Sequence, residues 1–218
     1  APDEAKAYLE ALKARRDMDR TILQVLNLSS SLAKIAPQEL ADLTCDFLFE
    51  DAPDDDDIYR RIHRRREIFC YLDGQFLPES PARGPFLALL NHHPQIGLEL
   101  VRRIVAHAVE RTGGAGDDPA FSIQWNDRSF VFTRFDSYGW TVPSTMGYAM
   151  GSALMALEAW GHKRIEDGDD PSNVIGDIIG ESGSPAVFAT VAVHLIISNL
   201  EQCQRAAIPF VSCPDLLI

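Results

Sequence analysis

The stretch from Gly84 to Arg111, GPFLALLNHHPQIGLELVRRIVAHAVER, decides how the rest of the chain is read. Pro85 and Pro94 each suit the first turn of a helix, where a missing N–H costs nothing. Behind each proline, apolar residues recur at three- and four-residue spacing, the period of one helix face. The stretch therefore predicts two helices joined by a tight corner. A second unit of the same kind is predicted from Ser144 to Leu200. Helix pairs in series are the mark of an α-helical repeat scaffold, which works by presenting surface. No exact period emerges, so the expected fold is mainly α, an α-solenoid-like array of helix pairs.

Upstream, residues 3–27 read as helix, with Leu9, Leu12, Ile22, Leu23 and Val25 on its apolar side, until Ser29 to Ser31 interrupt it. Pro37 opens PQELADLTCDFLFE, whose Leu40, Leu43, Phe47 and Phe49 predict a buried stripe. Asp51 to Asp57 predicts a turn into a helix reaching about Tyr71, and 72–84 reads as a loop. This divides the chain into an N-terminal helical segment, 1–72, and a helical-repeat-like segment, 73–218. One stretch departs from the helical period. FSIQW, Asn126-Asp127 and RSFVFTRF alternate apolar and polar residues with β-branched and aromatic side chains, which predicts a small β-hairpin insertion near 121–134. Downstream, helix breaks are predicted at Gly168 to Pro171 and Gly183 to Pro185, with the last well-marked helix over 185–199.

The bulk properties remove several function classes. The chain has 218 residues, 46% hydrophobic and 24% charged, enough for a substantial core in one domain or two. A formal charge of −12 argues against nucleic acid, because neutralising phosphates needs a Lys/Arg surplus on some face. The basic run Arg60 to Arg66 follows four aspartates, which cancel much of its field. No apolar stretch reaches the roughly 18 residues that span a bilayer, so no membrane partner is expected. Cys45, Cys70, Cys203 and Cys213 form no CxxC pair and are expected to be buried reduced thiols. No signal peptide is visible, and a cytoplasmic location is expected. A start without Met and an apolar end, FVSCPDLLI, suggest a piece of something larger.

No catalytic motif is complete. Asp54 to Asp57 is followed by Ile58 and fails a DDxxD spacing; acids ahead of Arg60 to Arg66 complement a helix dipole instead. No HExxH is present, and the Glu158/His162 and His63/Glu67 pairs lack the paired Glu-x-x-His of di-metal bundles. Gly180 to Ser184 only approaches GxSxG, and no GxxxxGK[ST] loop occurs. No catalytic residue, metal ligand or cofactor is assigned. The binding candidates are Trp125, Asp127, Arg128, Arg134, Tyr138 and Trp140, aromatics interleaved with charge as in interface hot spots. Against this stands the readiness with which aromatics serve as core. The alternative is a small helical enzyme or ligand-binding protein with a pocket near Trp140, Glu158, Trp160 and His162.

Three stretches carry a family resemblance: SPARGPFLALLNHHPQIGLELVRRIVAHAVER (80–111), YGW (138–140) with SALMALEAW (152–160), and DPSNVIGDIIGESGSPAVFATVAVHLI (170–196). Together they resemble the helical region that follows the nucleotide-binding core in large bacterial STAND-type ATPases implicated in antiphage defence. The resemblance spans about residues 45–200 and rests on patterns of small and apolar residues. It implies a non-catalytic scaffold or sensor segment of a signalling ATPase that binds a protein partner or ligand, with homo-oligomerisation through the parent protein. The ATP-binding residues of that family have no counterpart here.

Overall fold

The computed structural model describes residues 2–14, 19–49, 68–69, 73–76, 78–112, 119–134, 137, 140–141 and 147–216. The Asp54 to Asp57 run, the Arg60 to Arg66 run, Cys70 and Tyr138 lie outside the described residues. Among those described, the chain is mainly helical with one two-stranded antiparallel sheet. The helices are α1 (Pro2–Lys13), α2 (Asp19–Asn27), α3 (Ser30–Ile35), α4 (Pro37–Phe49), α5 (Phe86–His92), α6 (Pro94–Arg111), α7 (Tyr148–Glu166), α8 (Pro171–Ile179), α9 (Val187–Ser198) and α10 (Leu200–Val211). The strands are β1 (Pro119–Trp125) and β2 (Arg128–Thr133). The chain divides into two compact units, one of Ala1–Gly113 with Pro143–Ala156 and one of Gly114–Val142 with Leu157–Ile218.

One local device recurs. Three helix pairs are joined by a single residue: Ala36 between α3 and α4, His93 between α5 and α6, and Asn199 between α9 and α10. Each of the three leaves the helical region, at φ −145° ψ 57°, φ −141° ψ 75° and φ −125° ψ 40° respectively. Each also donates its N–H back into the helix just finished, to Leu32, to Leu89, and to Leu195 and Ile196. Proline follows two of the three corners. A residue before proline is pushed out of the α region by the pyrrolidine ring, so Ala36-Pro37 and His93-Pro94 turn on local sterics alone. Pro85 sits one position earlier than expected, immediately before α5 rather than inside it.

In the first unit α4 packs against α1, α2, α3 and α6, and α5 packs against α3 and α6. The core along α6 runs Gly97, Val101, Ile104, Val105 and Ala108, opposite Leu89 and Leu90 of α5. Gly97 is what lets these two helices meet. A Cβ there would lie 2.6 Å from the Leu90 backbone nitrogen, a contact no rotamer change relieves. At the rim Arg103 reaches Asp42 (2.9 Å), Lys6 reaches Glu39 (2.8 Å) and Lys13 reaches Asp46 (2.9 Å).

In the second unit α8, α9 and α10 all touch one another. Asp170 caps α8 by accepting from the Ser172 N–H (2.8 Å), with Pro171 at the first helical position. α9 is buried over most of its circumference, from Val187 through Ile196. Its start carries no cap of its own. Instead the fully buried Ser137 accepts from the Val187 N–H (3.1 Å) and donates to the Arg134 carbonyl (2.7 Å). α10 lies beyond the segment that periodicity marked as the last helix.

Candidate functional site

The hairpin forms as its alternation predicts. Phe121, Ile123 and Trp125 of β1 face inward with Phe130 and Phe132 of β2, while Ser122, Gln124, Arg128 and Ser129 face solvent. Trp125 pairs with Arg128 across the turn, Ile123 with Phe130, and Phe121 with Phe132. Asn126 and Asp127 close it at φ 50° and 60°. Two consecutive left-handed residues match the right-handed twist of the strands, and Asn and Asp tolerate that region better than other non-glycine residues. The outer edge of β2 is covered: Val131 donates to Ser182 Oγ, Gly183 to the Val131 carbonyl, Thr133 to the Ser184 carbonyl, and Ala186 to the Thr133 carbonyl. Gly180 to Ser184 thus serves as an edge cover for the sheet.

This geometry sorts the binding candidates. Trp125 and Trp140 are buried, at 8% and 6% exposure, so they anchor the hairpin and offer little contact surface. The Trp125 ring meets Phe210 of α10 edge-on at 5.9 Å. Arg134 is half-buried, its guanidinium carbon 5.9 Å from the Trp140 ring centroid, and its own backbone is left-handed at φ 56°. Asp127 and Arg128 are exposed at the turn. Of the group proposed from sequence, Arg134 and Trp140 are brought together, and Asp127 with Arg128 forms the accessible part.

The Glu158 region gathers more polar chemistry than its spacing suggested. Glu158 and His162 share one face of α7, with His162 Nε2 3.8 Å from Glu158 Oε1. His194 of α9 approaches the other carboxylate oxygen, Nδ1 to Oε2, at 3.7 Å. Asn199 at the α9–α10 corner spends both amide hydrogens, one on the Leu195 carbonyl (2.8 Å) and one on His162 Nδ1 (2.8 Å). Acceptance at Nδ1 leaves the His162 proton on Nε2, facing Glu158. His194 and Asn199 were not part of the sequence-derived pocket, because neither lies within one helical turn of Glu158 along the chain. Trp160 does not belong to it. Two residues along a helix is about 200° of rotation, which places Trp160 across α7 from Glu158 and His162. Its ring stacks under Arg164 (4.8 Å), which donates to Asp169 (2.6 Å) and to Asp177.

His107 stacks on Phe49 (4.1 Å, 12°) with its Nε2 2.9 Å from the Ile68 carbonyl oxygen. Burial pushes the Cys45 thiol up to about 12 and raises Cys203 as well, which keeps both protonated and unreactive. Cys45, Cys203 and Cys213 are all buried and free. Among the described residues no group of His, Cys, Asp and Glu is arranged to hold a metal ion, and no helix is long and apolar enough to cross a membrane. Comparison with known proteins finds no matching family model, no similar curated protein and no similar solved structure.

Proposed function

We propose that this chain is a non-catalytic scaffold or sensor segment of a larger signalling or defence ATPase, and that it binds a protein partner. The observation that carries the reading is the recurrence of one helix–corner–helix unit at Ala36, His93 and Asn199. A supersecondary unit repeated along a chain builds surface rather than a single catalytic cleft. The solenoid-like array of helix pairs and the cytoplasmic location belong to the same proposal. Within it, the contact point is the hairpin turn, where Asp127 and Arg128 stand exposed on strands anchored by the buried Trp125. A loop held by a rigid scaffold is where recognition residues concentrate.

The first test is the reading frame that encodes this chain. A GxxxxGK[ST] loop upstream supports the proposal, and a frame without any nucleotide-binding loop overturns the ATPase part of it. The second test is binding between this chain and the nucleotide-binding portion of that frame. Asp127→Lys with Arg128→Glu should weaken it roughly tenfold or more, and unchanged affinity removes the turn from the interface.

A second reading, a small ligand-binding protein or enzyme, draws on one observation: the Glu158 carboxylate lies between two imidazoles, with Asn199 orienting one of them. A thermal-shift screen against metals and small polar ligands tests it. A ligand at 100 times its Kd stabilises by about 2.7 kcal/mol, and no shift across the screen overturns this reading.

A further inference from the structure

The α5–α6 and α9–α10 pairs share their corner geometry but differ in what they show to solvent. Around His93 the exposed residues are Asn91, His92, Pro94 and Gln95, and α6 continues outward with Glu99 and Glu110. Around Asn199 the exposed residues include two large apolar side chains, Ile197 at 67% and Leu200 at 58%, beside the polar Ser198 and Glu201. Along α10 the exposed Leu200, Gln204, Ile208 (60%) and Val211 (60%) fall within an 80° arc at 100° per residue, with Glu201 and Arg205 along one flank. Cys203, Ala206, Ala207 and Phe210 occupy the adjoining buried arc, from 240° to 340° on the same wheel, so the apolar surface of α10 continues past the part that its own core covers. A helix needs only the buried arc to join its own core.

We propose that this outer face of α10 binds a second copy of the same chain, with the two helices antiparallel and the two-fold axis passing at Gln204. The stripe is self-complementary about that residue. Leu200 of one copy falls opposite Ile208 of the other, and Gln204 opposite Gln204. Across an antiparallel pair each flank faces its own counterpart, so Glu201 of one copy lies within two residues, about 3 Å of axial rise, of Arg205 of the other. Each copy contributes both charges, which makes two ion pairs per dimer. Identical patches that satisfy each other are what an isologous interface requires. A central glutamine pair fixes the register, because any slip leaves it facing an aliphatic side chain. The inference stands apart from the ATPase reading.

Sedimentation equilibrium of the 218-residue chain over a range of concentrations tests it. The chain should dimerise, and Ile208→Asp should raise the dimer dissociation constant roughly tenfold or more. Ile208 is exposed, so this variant should keep the wild-type circular dichroism. Glu201→Arg alone should weaken the dimer, and Glu201→Arg with Arg205→Glu should restore it. Gln204→Cys should form a disulfide-linked dimer that the wild type, under the same oxidation, does not. A wild-type monomer at every concentration overturns the proposal and leaves this face to a different occupant. A dimer that survives Ile208→Asp, or fails to cross-link through Gln204→Cys, overturns it equally.

Discussion

The corners at His93 and Asn199 reach nearly the same backbone conformation by different means. At His93 the following proline does the work: Pro94 excludes the α region for the residue before it and starts α6 with its φ already set. At Asn199 no proline follows, and the side chain supplies the turn by binding the Leu195 carbonyl behind it and His162 on another helix. One corner is encoded in two adjacent residues. The other exists only once α7 and α9 are in place. Below the corners the packing differs as well, since Gly97 admits the Leu90 backbone in the first pair and the corresponding position of the second is the buried Cys203.

The strongest way to break the first corner is Gly97→Ala. The added methyl would press on backbone, and we expect a loss of about 3 kcal/mol, partly offset by the better helix propensity of alanine. A denaturant titration followed by circular dichroism measures it; a change under about 0.5 kcal/mol would mean that α5 and α6 can separate freely. Asn199→Ala is the equivalent attack on the second corner. It removes two hydrogen bonds and should cost about 2 kcal/mol. Trp125, Trp140 and Trp160 all lie in the second unit, so tryptophan fluorescence follows it directly.

Pro94→Ala should matter less, about 0.5 kcal/mol, because proline acts mainly by restricting the unfolded chain. If it costs as much as Asn199→Ala, the proline is part of the folded contacts and the contrast between the corners weakens. The smallest expected effect is on acidification. Burial works to raise the Asp42 carboxyl, but hydrogen bonds from Arg103 and Gln38 outweigh it and hold the pKa below its ordinary 3.8. A depressed folded-state pKa means stability that is present above 3.8 and is lost as pH falls through the lower folded value. Asp42 and Arg103 are partly exposed, which limits the effect to ~0.5 kcal/mol. Asp42→Asn should flatten the acid dependence of the first unit's stability, measured by circular dichroism; an unchanged slope would remove the α4–α6 ion pair as its cause.

The same contrast explains what was legible. The α5–α6 pair, the start of α4 at Pro37 and the break at Gly168 to Pro171 before α8 were readable because each is written in neighbouring residues. The hairpin was readable too, since strand alternation and an Asn-Asp turn are local. The α10 helix was not. Leu200, Ile208 and Val211 on its outer side and Phe210 on its inner side blur the amphipathic period, and Pro209 inside it argues for a break. Nor could sequence place the aromatic cluster, because period-two alternation says which residues share a face but not which face is covered.

By itself, then, the sequence determined the helical class, the hairpin with its two-residue turn, and the proline-marked corners. These follow from backbone sterics and side-chain periodicity within a few residues. Only the tertiary structure decided that Trp125 and Trp140 are anchors, that His194 and Asn199 join Glu158 and His162, and that part of the apolar surface of α10 stays exposed. Each of these depends on which distant segment arrives to remove a side chain from water, and burial is a property of the assembled chain.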